Sequence, residues 1–230
     1  MALSLSDPLI KRGLRAGSYY NSLMNEKRMN NNNLCDGHVT IYAASSGAIS
    51  QKYFDAASRL GEVLADAGMS IMYGGGSTGL MGAMAGAALD AGSQVHGIVP
   101  RFLQELEVCH TGLTSLTVVD DMRKRKHLML KDASAVVTLP GGCGTYEEVF
   151  EALTMKRLGQ WLGPIVLVNT NGFYDQLNSF LEHAISERFM LRQHSDMWSI
   201  VDEPEEVVEA LQNAPSWSSE ALEFATLRGE

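Results

Sequence analysis

The chain is short of the residues that would mark a secreted, metal-stapled or membrane protein. Its 230 residues include only three cysteines, Cys35, Cys109 and Cys143, with no C-x-x-C pair and no histidine pair at zinc-ligand spacing. An odd, scattered set argues against a disulfide framework and a structural zinc, and fits a reduced, metal-free cytoplasmic protein. The N-terminus lacks the apolar core of a signal peptide. No run of 18 apolar residues exists, so no membrane-spanning helix is expected. Basic charge is also lacking. The balance of 18 Lys+Arg against 27 Asp+Glu gives −9, which argues against general nucleic-acid binding.

What remains is the composition of a globular protein, 45% hydrophobic and rich in aperiodic glycine. The length suits one domain or two small ones, with a core that needs no staple. Residues 1–33 differ from the rest. They carry Lys11, Arg12, Arg15, Lys27 and Arg28 against Asp7 and Glu26, and they end in the run Asn30 to Asn33. We read them as a mobile or oligomer-contacting extension, with a cleaved organelle transit peptide as the sharper alternative. Residues 34–214 form the main domain, and a polar tail covers 215–230.

From His38 onward, short β-rich runs alternate with helical stretches. Strands are expected at Val39–Ala43, Ser70–Tyr73, Gln94–Val99, Leu116–Val119, Ala135–Leu139, Ile165–Val168 and Trp198–Val201. Helices are expected near Gln51–Ala67, Leu80–Ala91, Met122–Lys131, Thr145–Leu158, Tyr174–Glu187 and Glu205–Gln212. This alternation predicts an α/β fold with a doubly wound, Rossmann-like, mostly parallel sheet covered on both faces. Ligands of such sheets bind at the carboxyl ends of the strands.

Two glycine-rich turns follow strands and open helices. Gly74-Gly75-Gly76-Ser77-Thr78-Gly79 satisfies G-x-G-x-x-G, but the strand that should end in a ribose-binding acid ends in Val99-Pro100-Arg101. An NADP-linked oxidoreductase therefore stays a minor alternative. The turn is either a phosphate- or nucleotide-contacting loop, involving Gly75 and Gly76, or a tight turn that lets helix and sheet approach. The second turn, Pro140-Gly141-Gly142-Cys143-Gly144-Thr145, runs into a helix whose free N–H groups and dipole suit an anion. No Gly-Lys-Ser/Thr follows, so a monophosphate is favoured over a hydrolysed triphosphate. In the helix after it, Glu148 borders the inward stripe of Thr145, Val149 and Ala152, whereas Glu147 points roughly opposite.

Asp120 and Asp121 precede a basic stretch, Met122-Arg123-Lys124-Arg125-Lys126, and are N-cap candidates. Lys124 suits a solvated face. Arg125 and Lys126 lie beside the inward stripe of Met122, Met129 and Ala133 and need an anionic partner, either a ligand or Glu148.

Met122-x-x-Arg125-Lys126 followed by Pro140-Gly141-Gly142-x-Gly144-Thr145-x-x-Glu148 resembles the LOG family, once labelled "possible lysine decarboxylase". The resemblance runs from about Val39 to Leu211 and includes the Tyr73–Gly82 turn. It implies a phosphoribohydrolase that cleaves purine nucleoside 5′-monophosphates, of cytokinin or adenine type, to free base and ribose 5-phosphate. It implies Arg125 and Glu148 as catalytic residues. Gly141, Gly142, Gly144 and Thr145 match the family's phosphate loop. Glu107, Lys126 and Thr154 fall on positions that contact nucleotide in relatives, and Ser45 stands in the family's N-terminal serine motif. No cofactor or metal is implied, and a homodimer or higher assembly is. The family usually carries histidine where Arg123 stands, an aromatic where Cys143 stands, and glycine where Ala44 stands. The second reading is a nucleotide- or molybdenum-cofactor-binding carrier on the same fold. Apolar residues on most faces of Leu80–Ala91 point Met81, Met84 and Leu89 at a partner subunit. A decarboxylase would need pyridoxal phosphate on a lysine, for which Lys126 is the one candidate.

Overall fold

A computed structural model describes residues 37–105 and 109–221. The extension 1–33, Cys35, Glu107 and residues 222–230 lie outside the described residues. Seven strands form one parallel sheet: β1 (His38–Tyr42), β2 (Ser70–Tyr73), β3 (Val95–Pro100), β4 (Ser115–Val119), β5 (Ala133–Thr138), β6 (Ile165–Val168) and β7 (Ser199–Val201). Their order is β4-β3-β2-β1-β5-β6-β7, every neighbouring pair parallel. The helices are α1 (Gln51–Asp66), α2 (Gly79–Asp90), α3 (Arg101–Gln104), α4 (Met122–Lys131), α5 (Cys143–Arg157), α6 (Asp175–Ser186) and α7 (Val207–Gln212). Every expected strand and helix is present. The sequence pattern missed the single-turn α3 and the 3-10 segment Arg192–Met197, which are too short to show a period. The last helix is shorter than expected because Pro204–Glu206 is a 3-10 turn with proline at its start.

Because strand side chains alternate, the sheet feeds two cores. Val39, Ile41, Ile71, Tyr73, Val137, Val166 and Val168 pack with α1, α2 and α7. Tyr42, Val136, Ile165 and Leu167 pack with α4, α5 and α6 on the other face. In α1, buried Ala56, Ala57, Leu60, Gly61 and Leu64 make a narrow helical stripe. Gly61 lets α1 sit directly on α2: a Cβ there would stand 2.9 Å from the Ala88 nitrogen. This packing corrects the expectation for α2. Met81 and Met84 are buried within their own chain, Met84 completely, so neither faces a partner. An all-apolar helix here means a helix covered by its neighbour.

The crossover from β4 to β5 positions the rest. β4 is the outermost strand on one side, and α4 carries the chain back past β3, β2 and β1 to β5. Asp121 caps α4 by accepting from the Lys124 N–H at 2.8 Å. β1 and β5 lie side by side, and strand order reverses between them. In open parallel sheets that reversal leaves a crevice beyond the strand ends.

The described end of the tail packs on α5. Trp217 Nε1 donates to the Lys156 carbonyl at 2.7 Å, and Ala221 is fully buried. Beneath this contact Lys156 is only 1% exposed, its Nζ 5.9 Å from the centre of the Trp217 ring. Burial pushes the Lys156 ammonium down to about 8, with Asp196 pulling it back up. The native state therefore holds fewer protons than the unfolded chain between that value and the ordinary 10.5. Stability must rise with pH there, by about 1.5 kcal/mol between about pH 8 and about pH 9.5. Above about pH 10 the buried hydroxyls of Tyr42, Tyr73 and Tyr174, all pushed up by burial, act in the opposite direction. Urea unfolding at several pH values should show this rise, and Lys156→Met should abolish it while stabilising the protein at neutral pH.

Candidate active site

The site grows out of the junction of β1 and β5. Their ladder continues past the strands, with Leu139 N–H donating to Tyr42 O at 2.9 Å and Ala44 N–H to Pro140 O at 3.2 Å. Beyond these bonds the two chains part. A cleft of about 290 Å³ opens, lined by Ala43 to Ser46 from the first loop and Gly142, Gly144, Thr145, Glu147 and Glu148 from the second. Gly74 and Met81 close one side, and Met122, Arg125 and Met129 of α4 form the floor with Ile41.

The two glycine turns have different fates. At the head of α2, the N–H groups of Leu80 and Met81 both donate to the Ala44 carbonyl, at 2.9 and 3.3 Å. Gly79 (φ +63°) permits this contact, since a Cβ there would stand 2.6 Å from the Ala44 oxygen. The start of α2 is thus spent on the neighbouring loop. Gly75 (φ +82°) packs against Gly97, and Gly76 bridges to Cys109. Neither lines the cleft, and both sit in the tight turn between β2 and α2. Gly74 does line it, because the Arg125 guanidinium lies where a side chain would stand.

At the head of α5 nothing intervenes. Gly142 is the N-cap and provides no side chain, and the first bond into the helix is Tyr146 N–H to Gly142 O at 3.0 Å. Among the described residues, the N–H groups of Cys143, Gly144 and Thr145 make no hydrogen bond. Gly141 is glycine because the Thr145 side chain packs over it, its Cγ2 2.8 Å from where a Cβ would be. Three open amides at the positive end of a four-turn helix make an anion cradle. Ser45 and Ser46 face it across the cleft lining.

Arg125 and Glu148 meet on the floor. They are 9% and 8% exposed, and Arg125 Nη2 stands 3.8 Å from Glu148 Oε1. The guanidinium is underused: Nη1 reaches only the Met122 sulfur at 3.8 Å, and Nε is buried without a partner among the described residues. A buried, donor-rich cation in a cleft is a site for an oxygen-bearing ligand. Burial pushes the Glu148 carboxyl up to about 7; Arg125 opposes this, Glu147 adds to it, Lys126 opposes and Glu151 adds. Desolvation outweighs the attraction of the guanidinium, so Glu148 shares its time between acid and carboxylate at neutral pH.

The other expected residues are dispersed. Glu147 does not point away: it sits at the rim of the cleft and pairs with Lys126. Rotation by 100° from Glu148 turns it toward α4, which the helical wheel of α5 alone did not show. Lys126 lies outside the cleft lining and also pairs with Glu151 at 2.5 Å. Thr154 is exposed, its hydroxyl donating to the Phe150 carbonyl at 2.7 Å. Glu107 is outside the described residues. The methionine wall of Met81, Met122 and Met129 was not anticipated as a lining, although its inward stripe on α4 was visible.

Comparison with known proteins places this geometry. A family model described as "Possible lysine decarboxylase" matches residues 81–211. A protein of Rhodococcoides fascians named cytokinin riboside 5′-monophosphate phosphoribohydrolase is 42% identical over 153 residues, 66% of this chain and 77% of that protein. An Oryza sativa subsp. japonica protein of the same designation is 40% identical over 152 residues, 66% of this chain and 63% of its own. Among solved structures, the molybdenum cofactor carrier protein of Chlamydomonas reinhardtii superposes with a TM-score of 0.61 at 18% identity, over 78% of this chain and 98% of that one. The molybdenum cofactor binding protein of Rippkaea orientalis gives 0.59 at 19% identity, over 76% and 96%. At these identities the structural likeness concerns the fold.

Arg125 is the largest influence opposing the desolvation of Glu148. Arg125→Met should therefore drive the Glu148 midpoint well above 7, read from the carboxyl 13C shift during an NMR titration. A midpoint unchanged from wild type would show that the guanidinium does not act on this carboxyl.

Proposed function

We propose how the site works from the premise that the chain belongs to the LOG family, whose curated members are named as cytokinin riboside 5′-monophosphate phosphoribohydrolases. Its activity is hydrolysis of the N-glycosidic bond of a nucleoside 5′-monophosphate, giving free base and ribose 5-phosphate. The observation that carries the assignment of roles is the Arg125–Glu148 pair on the floor of a cleft whose rim holds the open amides of α5.

The 5′-phosphate sits on the N–H groups of Cys143, Gly144 and Thr145, with Ser45 and Ser46 alongside. Holding this remote group fixes C1′ relative to Glu148 and converts binding energy into orientation. As the base departs with the bonding electrons, positive charge develops at C1′ and the ring oxygen. The Glu148 carboxylate stabilises that charge and orients the water that attacks C1′. The water adds its oxygen to C1′, and the proton it loses ends on the departing base, so that neutral base and ribose 5-phosphate result. Arg125 fills its free hydrogen-bonding capacity on ribose or phosphate oxygens and keeps a share of Glu148 ionised. The base is a purine, of the cytokinin type or adenine itself, and AMP is the simplest substrate.

The decarboxylase description does not fit the cleft. Pyridoxal phosphate chemistry requires a lysine amine within it, and no lysine lines it among the described residues. Lys126 is held by two carboxylates outside the lining, and Lys156 is enclosed under Trp217. A carrier of the same fold has no use for a buried pair that costs desolvation. Family membership also carries the expectation of a cytoplasmic homodimer, which light scattering tests; the exposed rings of Phe102, Phe150, Phe180 and Phe189 offer it apolar surface.

Incubation with AMP should release adenine and ribose 5-phosphate, and kcat/KM for adenosine should be lower by at least about 100-fold, since a neutral nucleoside leaves the α5 amides unused. Comparable values would remove the loop from phosphate binding. Glu148→Gln should retain nucleotide binding and lose on the order of 10² or more in kcat. The wild-type kcat/KM should rise as pH climbs through about 7, following ionisation of Glu148 in the free enzyme. That limb should be missing from the residual activity of the Gln variant.

A further inference from the structure

Two fully buried tyrosines each reach one of the glycine turns. The Tyr73 hydroxyl donates to the Gly76 carbonyl at 3.1 Å, in the turn ahead of α2. The Tyr174 hydroxyl donates to the Leu139 carbonyl at 2.7 Å, at the entry to the turn that stays open. Leu139 is fully buried as well, so its carbonyl is out of reach of solvent. Without the phenol it would be an unpaired buried acceptor, a state the backbone relieves by rotating. The Leu139–Pro140 peptide is planar, so the direction of this carbonyl sets how Pro140 and the glycines after it leave β5. The same ring meets the far end of the turn. Tyr146, in the first turn of α5, stands perpendicular to it, with ring centres 6.2 Å apart and planes at 89°. The Tyr146 N–H closes the first helical bond onto the Gly142 carbonyl. Tyr174 therefore holds the chain on both sides of the segment from Gly141 to Thr145.

What fixes Tyr174 comes from the strands on that side of the sheet. Asn169, just past β6 and 6% exposed, accepts the Tyr174 N–H at 2.7 Å through its side-chain oxygen. Its Nδ2 donates to Asp175 at 3.0 Å and to Asp202, just past β7, at 3.1 Å. Phe173 packs perpendicular to the Tyr174 ring at 5.1 Å. Burial first, and then Tyr146, hold the Tyr174 hydroxyl above its ordinary range, so it stays a donor.

We propose that Tyr174 is a positioning residue of the open turn: its hydroxyl on Leu139 and its ring against Tyr146 set the path of Gly141 to Thr145, and with it the aim of the amides that hold the 5′-phosphate. The proposal rests on the reading of those amides as the phosphate site. Tyr174 does not line the cleft and acts only through the turn. Through Asn169 and Tyr174, the ends of β6 and β7 bear on a site built at the junction of β1 and β5.

The test titrates full-length wild type, Tyr174→Phe and Tyr73→Phe with ribose 5-phosphate and follows the amide NMR shifts of Cys143, Gly144 and Thr145. Phenylalanine keeps the ring in each case and removes only the hydroxyl. Tyr174→Phe should weaken the Kd by about tenfold, the scale of a displacement of somewhat less than about an ångström. Tyr73→Phe should stay within about twofold of wild type, because its hydroxyl serves the other turn. In Tyr174→Phe, kcat/KM for AMP should fall about tenfold and that for adenosine should stay within about twofold, since adenosine makes no use of the amides. Tyr146→Leu cuts the same link at its other end. It removes the ring contact, leaves the hydroxyl bond, and should weaken ribose 5-phosphate by about threefold. An unchanged Kd in Tyr174→Phe would overturn the proposal, and if that variant does not fold, an unchanged Kd in Tyr146→Leu would do so. Equal weakening by Tyr174→Phe and Tyr73→Phe, or an equal fall for AMP and adenosine, would overturn it as a general loosening of the fold. Wild-type amides that ignore ribose 5-phosphate would defeat the phosphate reading and the proposal with it. Normal wild-type binding beside an indifferent Tyr174→Phe would leave that reading standing and remove Tyr174 alone.

Discussion

A carboxylate and a guanidinium taken out of water together are the constraint around which this molecule is arranged. Glu148 and Arg125 are each more than nine-tenths buried, yet they stand 3.8 Å apart and not in close bidentate contact. At that separation their attraction does not cancel the cost of desolvation, and the carboxyl responds by rising to about 7. A pair optimised for stability would close the gap. A pair that leaves donor positions free and a carboxyl near neutrality has the properties of a site waiting for a polar ligand.

The surrounding architecture serves that pair. Arg125 reaches it because α4 returns the chain from the outer edge of the sheet to the centre. Its guanidinium has room because position 74 is glycine, and its flanks are methionine thioethers, which shape a cleft without competing strongly as acceptors. Glu148 is placed one turn inside α5, so the amides ahead of it and the carboxyl itself are fixed by the same rigid element. A shift of about an ångström in either helix would change the spacing between the open amides of α5 and the Arg125–Glu148 pair. The ion pairs from Lys126 to Glu147 and Glu151 tie these two helices directly.

The two glycine turns show how similar local chemistry is given opposite uses. Both follow a strand, both open a helix, and both offer bare amides. The Ala44 carbonyl takes up the amides of Leu80 and Met81 in α2, and among the described residues no carbonyl reaches the first amides of α5. One turn becomes a structural joint between β1 and α2, and the other stays open to the cleft. Nothing in Gly74–Gly79 or Pro140–Thr145 distinguishes these outcomes, because the deciding group belongs to a loop 30 or more residues away in the chain.

The order of strands and helices was legible because alternation and helical spacing are local properties, and buried parallel strands repeat Val, Ile and Ala almost without interruption. The pairing of Arg125 with Glu148 was legible for a similar reason, since each sits on the inward stripe of its own helix. The resemblance carried by their motifs supplied the reaction. What a helical wheel could not supply was the position of one helix beside another. Glu147 was read as pointing away from the cleft and Met84 as facing a partner subunit; the first pairs with Lys126 of α4, and the second is buried against α1 of its own chain. Likewise, the balance between burial and attraction at Glu148 depends on how much water the packed sheet and helices exclude. The sequence by itself determined the elements, their inward faces and the residue types of the site. Only the tertiary structure decided which amides stay open and which charges are cancelled, because hydrogen bonding and desolvation are settled by groups that meet through folding.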